Sequence, residues 1–381
     1  MNLNELKEEI KKIVLDSGAK LVGVGNRERL KDAPPSADME YSLPDAKSCI
    51  IWAYPNPIEA LENYFAKRER MSLKKFQHFA YTTAWKTAVK IKEFIEENTN
   101  FKAFAVIPNG KYRKKGGYSN IFKDDKSYPD FSLRYGAVAA GLGHIGWSGN
   151  LITEEYGGSL YLGGVLTTAR LEPDPMAEEN HCNKCMICYQ ACTTGFFDKK
   201  QEEETQEVII GGKKEVYAKR GIYSKCAIGC AGLTGLSEDG DWSTWSADHI
   251  CLKEYSNQEW KDDPMLVKKI MRKILLDENT PENLKKFNRE ILKSYGKVGS
   301  TENVAERPLK DTNPRCGNCN FICVADPKKR VELLKLLKTS GKVFIDEEGR
   351  EYVKKIDKEG EVEIYYPPTE EEFFSKADNE V

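Results

Sequence analysis

A run of four closely spaced cysteines constrains this chain of 381 residues more than any other sequence feature. The run comprises Cys182, Cys185, Cys188 and Cys192, in the spacing C-x2-C-x2-C-x3-C. With this spacing, three thiolates bind three corners of a [4Fe–4S] cubane and the fourth points away to a second cluster. Zinc sites instead pair two short C-x2–4-C knuckles across a longer loop. The run therefore predicts iron–sulfur clusters rather than a zinc site.

A second, shorter group of cysteines lies towards the carboxyl end of the chain. Cys316, Cys319 and Cys323 have the spacing C-x2-C-x3-C, which is one thiolate short of a cluster of their own. Two cubanes need eight thiolates, and each group is expected to send one thiolate to the other group's cluster. The predicted ligands are Cys182, Cys185, Cys188 and Cys323 for the first cluster, and Cys192, Cys316, Cys319 and one upstream cysteine for the second.

The upstream cysteine is predicted from the segment between the two groups. Cys226 is the preferred eighth ligand, Cys230 is the alternative, and Cys251 is a more distant third choice. Cys49 lies in a continuous apolar stretch and is expected to be a buried free thiol. Because crossed ligands hold the two clusters close together, electrons are expected to pass between them.

Charge and hydropathy exclude several other classes of protein. The chain has 58 Lys and Arg against 60 Asp and Glu, so its formal charge is −2 and nucleic acid is not an expected partner. The longest apolar stretch, residues 135–153, is interrupted by glycines and polar residues, unlike a membrane span. The amino terminus lacks an apolar signal core. We therefore expect a cytoplasmic protein, in which many cysteines indicate metal or redox chemistry.

The pattern of apolar residues predicts an α+β fold. Strands are expected at residues 21–24, 48–53, 101–107 and 161–167, with helices over residues 3–14 and 73–95. Two prolines near residue 173 indicate a linker. We predict a first domain at residues 1–172, a second at 173–335 with an insertion near 231–310, and a carboxyl-terminal β extension with an acidic tail at 336–381. The second domain should contain a hairpin at 208–217 with a Gly-Gly turn.

An ordered set of motifs precedes the cysteine run. Residues 139–146 read A-A-G-L-G-H-I-G, and they are followed by L-I-T-E-E-Y-G at 151–157 and G-V-L-T-T at 164–168. This order resembles the corrinoid-dependent reductive dehalogenases and their relatives, the epoxyqueuosine reductases. The resemblance implies a nitroreductase-like amino-terminal α/β domain that holds cobalamin, and a two-[4Fe–4S] ferredoxin-like domain that supplies electrons. It also implies an oxidoreductase that reduces a small halogenated or epoxide-like substrate.

The resemblance also implies site residues beyond the cysteines. It assigns Tyr81 as a proton donor, and it assigns the corrinoid contacts to Gly141, Gly143, His144, Gly146, Trp147 and Gly164. Trp147 is a departure, because the dehalogenases carry a basic residue there and the epoxyqueuosine reductases carry Lys. A second departure concerns the catalytic Asp of the epoxyqueuosine reductases, which aligns near Ser127, whereas Asp125 and Asp130 are off register.

Two further functions remain open from the sequence. The chain could be an electron-transfer module without catalysis of its own, since both departures weaken the catalytic set. It could also be an epoxyqueuosine reductase acting on tRNA, with the basic runs at residues 67–70 and 111–115 touching RNA, although such runs are usually solvated surface. The expected electron donor is a low-potential protein such as ferredoxin or flavodoxin.

Overall fold

The structure is a computed structural model, and it describes residues 1–109, 113, 128–197, 204–250, 252–263, 266–298, 304–357 and 359–377. The helices are α1 Leu3–Asp16, α2 Arg27–Leu30, α3 Ile58–Phe65, α4 Met71–Asn98, α5 Leu133–Ala139, α6 Ile187–Gln190, α7 Tyr223–Ala231, α8 Asn257–Asp262, α9 Leu266–Leu276, α10 Glu282–Val298, α11 Asn318–Phe321, α12 Pro327–Thr339 and α13 Glu370–Ala377. The strands are β1 Leu21–Asn26, β2 Ser48–Pro55, β3 Ala103–Val106, β4 His144–Ile145, β5 Leu151–Ile152, β6 Leu160–Thr167, β7 Thr205–Ile210, β8 Lys213–Ala218, β9 Lys342–Ile345, β10 Glu351–Ile356 and β11 Val362–Tyr365.

The amino-terminal part is built on a four-stranded antiparallel sheet in the order β1-β2-β6-β3. Strand β2 is apolar without alternation because both of its faces are covered. Its residues Ile50 and Trp52 join the buried cluster that includes α4. Cys49 and Ile51, which point the other way, join the cluster that includes α5. The sheet is therefore the middle layer between two helical layers.

The long helix α4 covers one face of this sheet. Ala80, Ala84 and Ala88 recur every four residues along it and are fully buried. Small side chains at this spacing form one stripe of the helix, so its backbone can approach β6 and β3 closely. Leu73 and Ile91 extend the same buried stripe and anchor the helix by apolar burial.

Most of the predicted elements are confirmed. The four predicted strands correspond to β1, β2, β3 and β6, and the predicted hairpin corresponds to β7 and β8. Gly211 and Gly212 in its turn have φ values of 59° and 75°, as a two-residue type I′ turn requires. The chain is thus a mixed α/β protein. Its nitroreductase-like and ferredoxin-like domains remain predictions.

The carboxyl-terminal part packs onto the amino-terminal sheet layer. Strands β9, β10 and β11 form an antiparallel sheet, and one buried cluster runs from Leu6 on α1 to Val353 on β10. Glu351 on β10 pairs with Arg70 at 2.8 Å and also with Arg315, so a buried ion triad joins three distant segments. The predicted boundaries at 172 and 335 remain predictions, and apolar packing crosses both.

Across the described residues, none of the helices combines the length and the apolar character needed to cross a bilayer.

Candidate functional site

Cysteines from two distant segments converge on one cavity, which we call the first cysteine site. Its lining includes Cys182, Cys185, Cys188 and Cys323. The first three lie on the loop and short helix α6, whereas the fourth follows α11. The structure therefore brings together the four side chains predicted for the first cluster.

The loop between the first three cysteines has an unusual backbone. Lys184 has φ 53° and Met186 has φ 61°, so both are left-handed although neither is glycine. This conformation costs roughly 1–2 kcal/mol per residue. Each strained residue lies next to Cys185, and the resulting turns carry the chain around the cavity. Backbone strain of this kind often marks a binding site, where the surrounding structure maintains it.

Burial raises the pKa of two thiols in this site, Cys188 and Cys323. It raises the pKa of Cys188 to about 12, with a further contribution from Cys323, Cys182 and Cys185. Burial likewise raises the pKa of Cys323 to about 11. The neutral thiol is thus favoured at Cys188 and Cys323, and a bound cation is what would favour their thiolates. One hydrogen bond already points at a sulfur, since the Trp147 backbone N–H donates to Cys182 Sγ at 3.2 Å.

A second group of thiols, the second cysteine site, lies beside the first. Cys319 interacts electrostatically with Cys226, Cys192 and Cys316, and also with Cys188 of the first site. The four side chains predicted for the second cluster therefore lie near one another and near the first site. Phe196 and Phe197 belong to the apolar cluster that contacts cysteines of both sites.

The segment predicted to supply the eighth ligand forms helix α7. Cys226 and Cys230 are four residues apart on this helix and so lie on one face of it. The Cys230 thiol is hydrogen-bonded to both Cys226 and Cys316. Cys226 also interacts with Cys192. Cys251, the third choice, lies outside the described residues.

The thiols are arranged differently from the ligands of a single ion. Within the described ranges, no three His, Cys, Asp or Glu side chains could hold one metal ion together. Thiolates that share one zinc ion lie about 3.8 Å apart, given Zn–S bonds of about 2.3 Å in a tetrahedron. Thiolates of a cubane bind different iron atoms and so lie farther apart.

The glycines that the resemblance assigns to corrinoid contact pack against the protein itself. A Cβ on Gly141 would lie 2.0 Å from the carbonyl oxygen of Pro175, and one on Gly143 would lie 2.0 Å from that of Ile152. A Cβ on Gly146 would lie 2.3 Å from Ile152 Cγ1, and one on Gly164 would lie 2.5 Å from Leu133 Cδ2. These glycines allow close backbone packing, and protein atoms occupy the space beside them.

His144 and Trp147 have separate surroundings. His144 is buried, and its Nδ1 lies 2.7 Å from Glu215 Oε1. Glu215 also accepts a hydrogen bond from the Ile145 backbone N–H at 2.9 Å, so it ties the Gly-rich segment to β8. Trp147 lines the first cysteine site. The structure thus groups Trp147 with the thiols.

Tyr81 lies on α4, where the sequence places it. Its hydroxyl accepts a hydrogen bond from Asn109 Nδ2 at 3.1 Å, and its ring packs edge-on against Tyr161 at 5.0 Å. It is half-buried and is not among the residues that line the first cysteine site. Of the two carboxylates near the expected Asp, Asp130 is buried, while Asp125 and Ser127 lie outside the described residues.

Sequence reasoning missed Arg330, which lines the first cysteine site. It lies on α12 and is only 4% exposed. The sequence does contain a pattern that indicates its burial, because Leu333, Leu334 and Leu337 follow Arg330 at positions i+3, i+4 and i+7. All three leucines are buried in the structure. An arginine on the apolar stripe of a helix directly after a cysteine group indicates a buried charge near that group.

No protein-family model matches the chain. Over 81 residues it is 36% identical to an epoxyqueuosine reductase of Synechocystis sp., a match covering 18% of this chain and 28% of that protein. Over 59 residues it is 51% identical to an epoxyqueuosine reductase of Gloeobacter violaceus, covering 15% of this chain and 18% of that protein. These matches thus span less than a third of the relatives' length.

Two solved structures resemble the chain loosely. An epoxyqueuosine reductase with a tRNA stem loop gives a TM-score of 0.38 at 15% identity, covering 88% of this chain and 100% of that chain. A reductive dehalogenase with 3-bromo-4-hydroxybenzoic acid gives a TM-score of 0.42 at 14% identity, and the match covers 81% of this chain and 41% of that chain. The curated matches confirm the predicted resemblance to epoxyqueuosine reductases: this chain is similar in sequence to these proteins, which are oxidoreductases.

Proposed function

We propose that this chain is an iron–sulfur oxidoreductase that holds two [4Fe–4S] clusters and delivers electrons to a substrate. The observation that carries the proposal is the convergence of Cys323 with Cys182, Cys185 and Cys188 around one cavity. When bound by such thiolates, a [4Fe–4S] cluster supplies one-electron chemistry at a potential set by its surroundings. The donor set of the cavity, four thiols from two segments, fits that group.

The surrounding residues have defined parts in this function. The Trp147 backbone N–H donates to Cys182 Sγ and would stabilise negative charge on that sulfur. Phe196 and Phe197 shield cysteines of both sites from water. Cys188 and Cys319 interact across the two sites, which supports a short path for electrons between them.

A corrinoid is implied by the resemblance alone, because the close packing of the four assigned glycines needs no ligand to explain it. Protein atoms fill the space beside the four glycines, and His144 is paired with Glu215. The proposed chemistry is therefore electron delivery through the cysteine sites, without a corrinoid step. Cobalt analysis of the purified protein tests the remaining possibility that cobalamin binds elsewhere in the chain.

For the substrate we propose epoxyqueuosine in tRNA, because the curated relatives carry the name of that reductase. The expectation that nucleic acid is not a partner rested on overall charge, which says little about a local surface. The basic run at 67–70 does not supply that surface, since Lys67 and Arg70 are buried. Burial also lowers the pKa of Lys67 to about 7. Of the run at 111–115, only Arg113 is described, and its guanidinium lies 3.9 Å from the Tyr41 ring.

An electron-transfer module without catalysis of its own is the second candidate. The packing of the Gly-rich segment against Pro175 and Ile152 favours it, because that segment was the expected substrate side of the molecule. A reductase of small halogenated or epoxide compounds differs from both of these candidates, since it would reduce its substrate in the absence of RNA. Tyr81 is its expected proton donor.

The decisive experiment is metal analysis and turnover of anaerobically purified full-length protein. We expect about eight irons and eight sulfides per chain. Assays with a chemical reductant would then compare an epoxyqueuosine-containing tRNA stem loop with small epoxides and halogenated compounds. Turnover of the stem loop alone supports the proposed substrate, whereas turnover of neither class supports the electron-transfer module. A colourless protein that binds zinc would overturn the proposal.

A further inference from the structure

We infer that Arg330 is a positioning residue that joins the two chain segments of the first cysteine site and raises the reduction potential of the cluster proposed there. The inference rests on the proposed function, because it concerns a cluster held by these thiols. It assigns a role to a side chain outside both cysteine groups.

One side of the guanidinium holds the segment that follows Cys323. Arg330 Nε donates to the carbonyl oxygen of Val324, and Nη2 donates to that of Ala325 at 3.0 Å. Both acceptors are backbone atoms immediately after the ligand. Because the guanidinium is planar and its donors form a rigid fork, these bonds fix the path of the chain there.

The other side of the guanidinium reaches the first cysteine group. Nη1 donates to Asn183 Oδ1 at 3.2 Å and lies 3.9 Å from Cys185 Sγ. A single side chain thus contacts both segments whose thiols line the cavity. Cys323 is remote in sequence from its three partners, so contacts of this kind help to keep it beside them.

The charge of Arg330 lacks a carboxylate partner among the described residues. Its neighbour Lys329 pairs with Glu62 and Glu332, but no ion pair of the described residues includes Arg330. A buried charge without a counter-charge is costly. Cys185 and the other thiols of the cavity are the groups that would become negative on binding a cluster, so they are the natural counter-charge for Arg330.

A fixed positive charge beside these sulfurs has a predictable effect on redox chemistry. Reduction adds one negative charge, and a nearby guanidinium stabilises that charge. Removal of the Arg330 charge should therefore lower the midpoint potential of the first cluster. The second cluster should change less, because the guanidinium contacts Cys185 and not the thiols of the second site.

The test compares three variants of the full-length, anaerobically purified protein by iron analysis and by redox titration followed with electron paramagnetic resonance. Arg330→Gln removes the charge, and Arg330→Lys keeps the charge but removes the planar fork. Lys335→Gln is the matched control, because Lys335 also lies on α12 but is exposed and does not line the cavity. We expect Arg330→Gln to lower one of the two midpoint potentials, and we expect Lys335→Gln to keep both potentials close to those of the wild type.

The outcomes separate this inference from the proposed function. If the wild-type protein holds two clusters and Arg330→Gln leaves both potentials unchanged, the inference is overturned and the proposed function stands. If the wild-type protein holds no cluster, the proposed function fails. If Arg330→Gln loses the first cluster, the joining role is supported. The effect of the charge is then measured in Arg330→Lys, which should retain the first cluster at a midpoint potential near that of the wild type. A large fall in that midpoint potential would overturn the inferred charge effect.

Discussion

The side chains of Cys230 and Cys316 are hydrogen-bonded to each other. This contact holds the pKa of Cys316 at about 7, below its ordinary value. The pKa of Cys230 is raised by its hydrogen bonds to Cys226 and Cys316. A proton is therefore favoured on Cys230, while Cys316 is ready to act as a thiolate. The lowered pKa of Cys316 suits a ligand, and the raised pKa of Cys230 suits a neutral thiol beside that ligand.

We expect Cys226, rather than Cys230, to complete the second cluster. Cys226 interacts with Cys192 and Cys319, the other predicted ligands. Cys226→Ser should therefore lower the iron content by about four atoms per chain. Cys230→Ser lies one helical turn away on the same face and serves as the matched control, which should keep its iron. The reverse pattern in iron analysis and Mössbauer spectra would make Cys230 the ligand.

We expect Cys323→Ser to remove the first cluster, because this thiol supplies the fourth side of the cavity. Iron content should fall by about four atoms per chain, with the signal of the second cluster retained. Cys49→Ala is the control. The Cys49 thiol is fully buried in β2, where burial raises its pKa to about 12. The Cys49→Ala variant should be less stable than the wild type but should keep its full iron content. Full iron content in Cys323→Ser would contradict the crossed ligand arrangement.

We expect Gly143→Ala to destabilise the fold by about 3 kcal/mol. The added Cβ would lie 2.0 Å from the Ile152 carbonyl oxygen, and the φ of 152° also disfavours a side chain. Gly360→Ala is the control, since its φ is 89° and no atom lies within 4 Å of the added Cβ. It should cost about 1 kcal/mol. Urea unfolding measures both, and equal losses would mean that the close contact at Gly143 is unimportant.

The ion triad around Glu351 should make a pH-dependent contribution to stability. Burial opposes ionisation, but Arg315 and Arg70 together hold the pKa of Glu351 below its usual value. Stability from a depressed carboxyl pKa is present above the unfolded-state pKa of about 4.3 and is lost as pH falls through the folded-state pKa. Glu351→Gln leaves two buried arginines without a counter-charge, which should cost about 3–5 kcal/mol at pH 7.

Denaturant unfolding at several pH values checks this prediction. The difference in unfolding free energy between the wild type and Glu351→Gln should narrow as pH falls below about 4.3. Glu347→Gln, an exposed carboxylate in the loop before β10, should resemble the wild type throughout. A difference that does not change with pH would assign the effect to packing rather than to charge.

The sequence by itself determined the features that depend on local spacing. Apolar runs predicted β2 and β6, and adjacent glycines predicted the turn between β7 and β8, because strand pairing in a short hairpin needs only neighbouring residues. The division of cysteines into two groups also follows from spacing, since ligands two or three residues apart can reach one cluster. These inferences need no knowledge of the rest of the chain.

Only the tertiary structure decided how distant segments meet. Glycines at 141–146 predict either a ligand contact or close packing, and the structure shows close packing against the atoms of Pro175 and Ile152. The basic residue Arg70 looks like a surface charge until Glu351 is found beside it. Likewise, the role inferred for Arg330 depends on its contacts with Asn183 and Cys185. The physical reason is the same in each case: a side chain's environment is set by neighbours that are remote in sequence, and local patterns do not specify those neighbours.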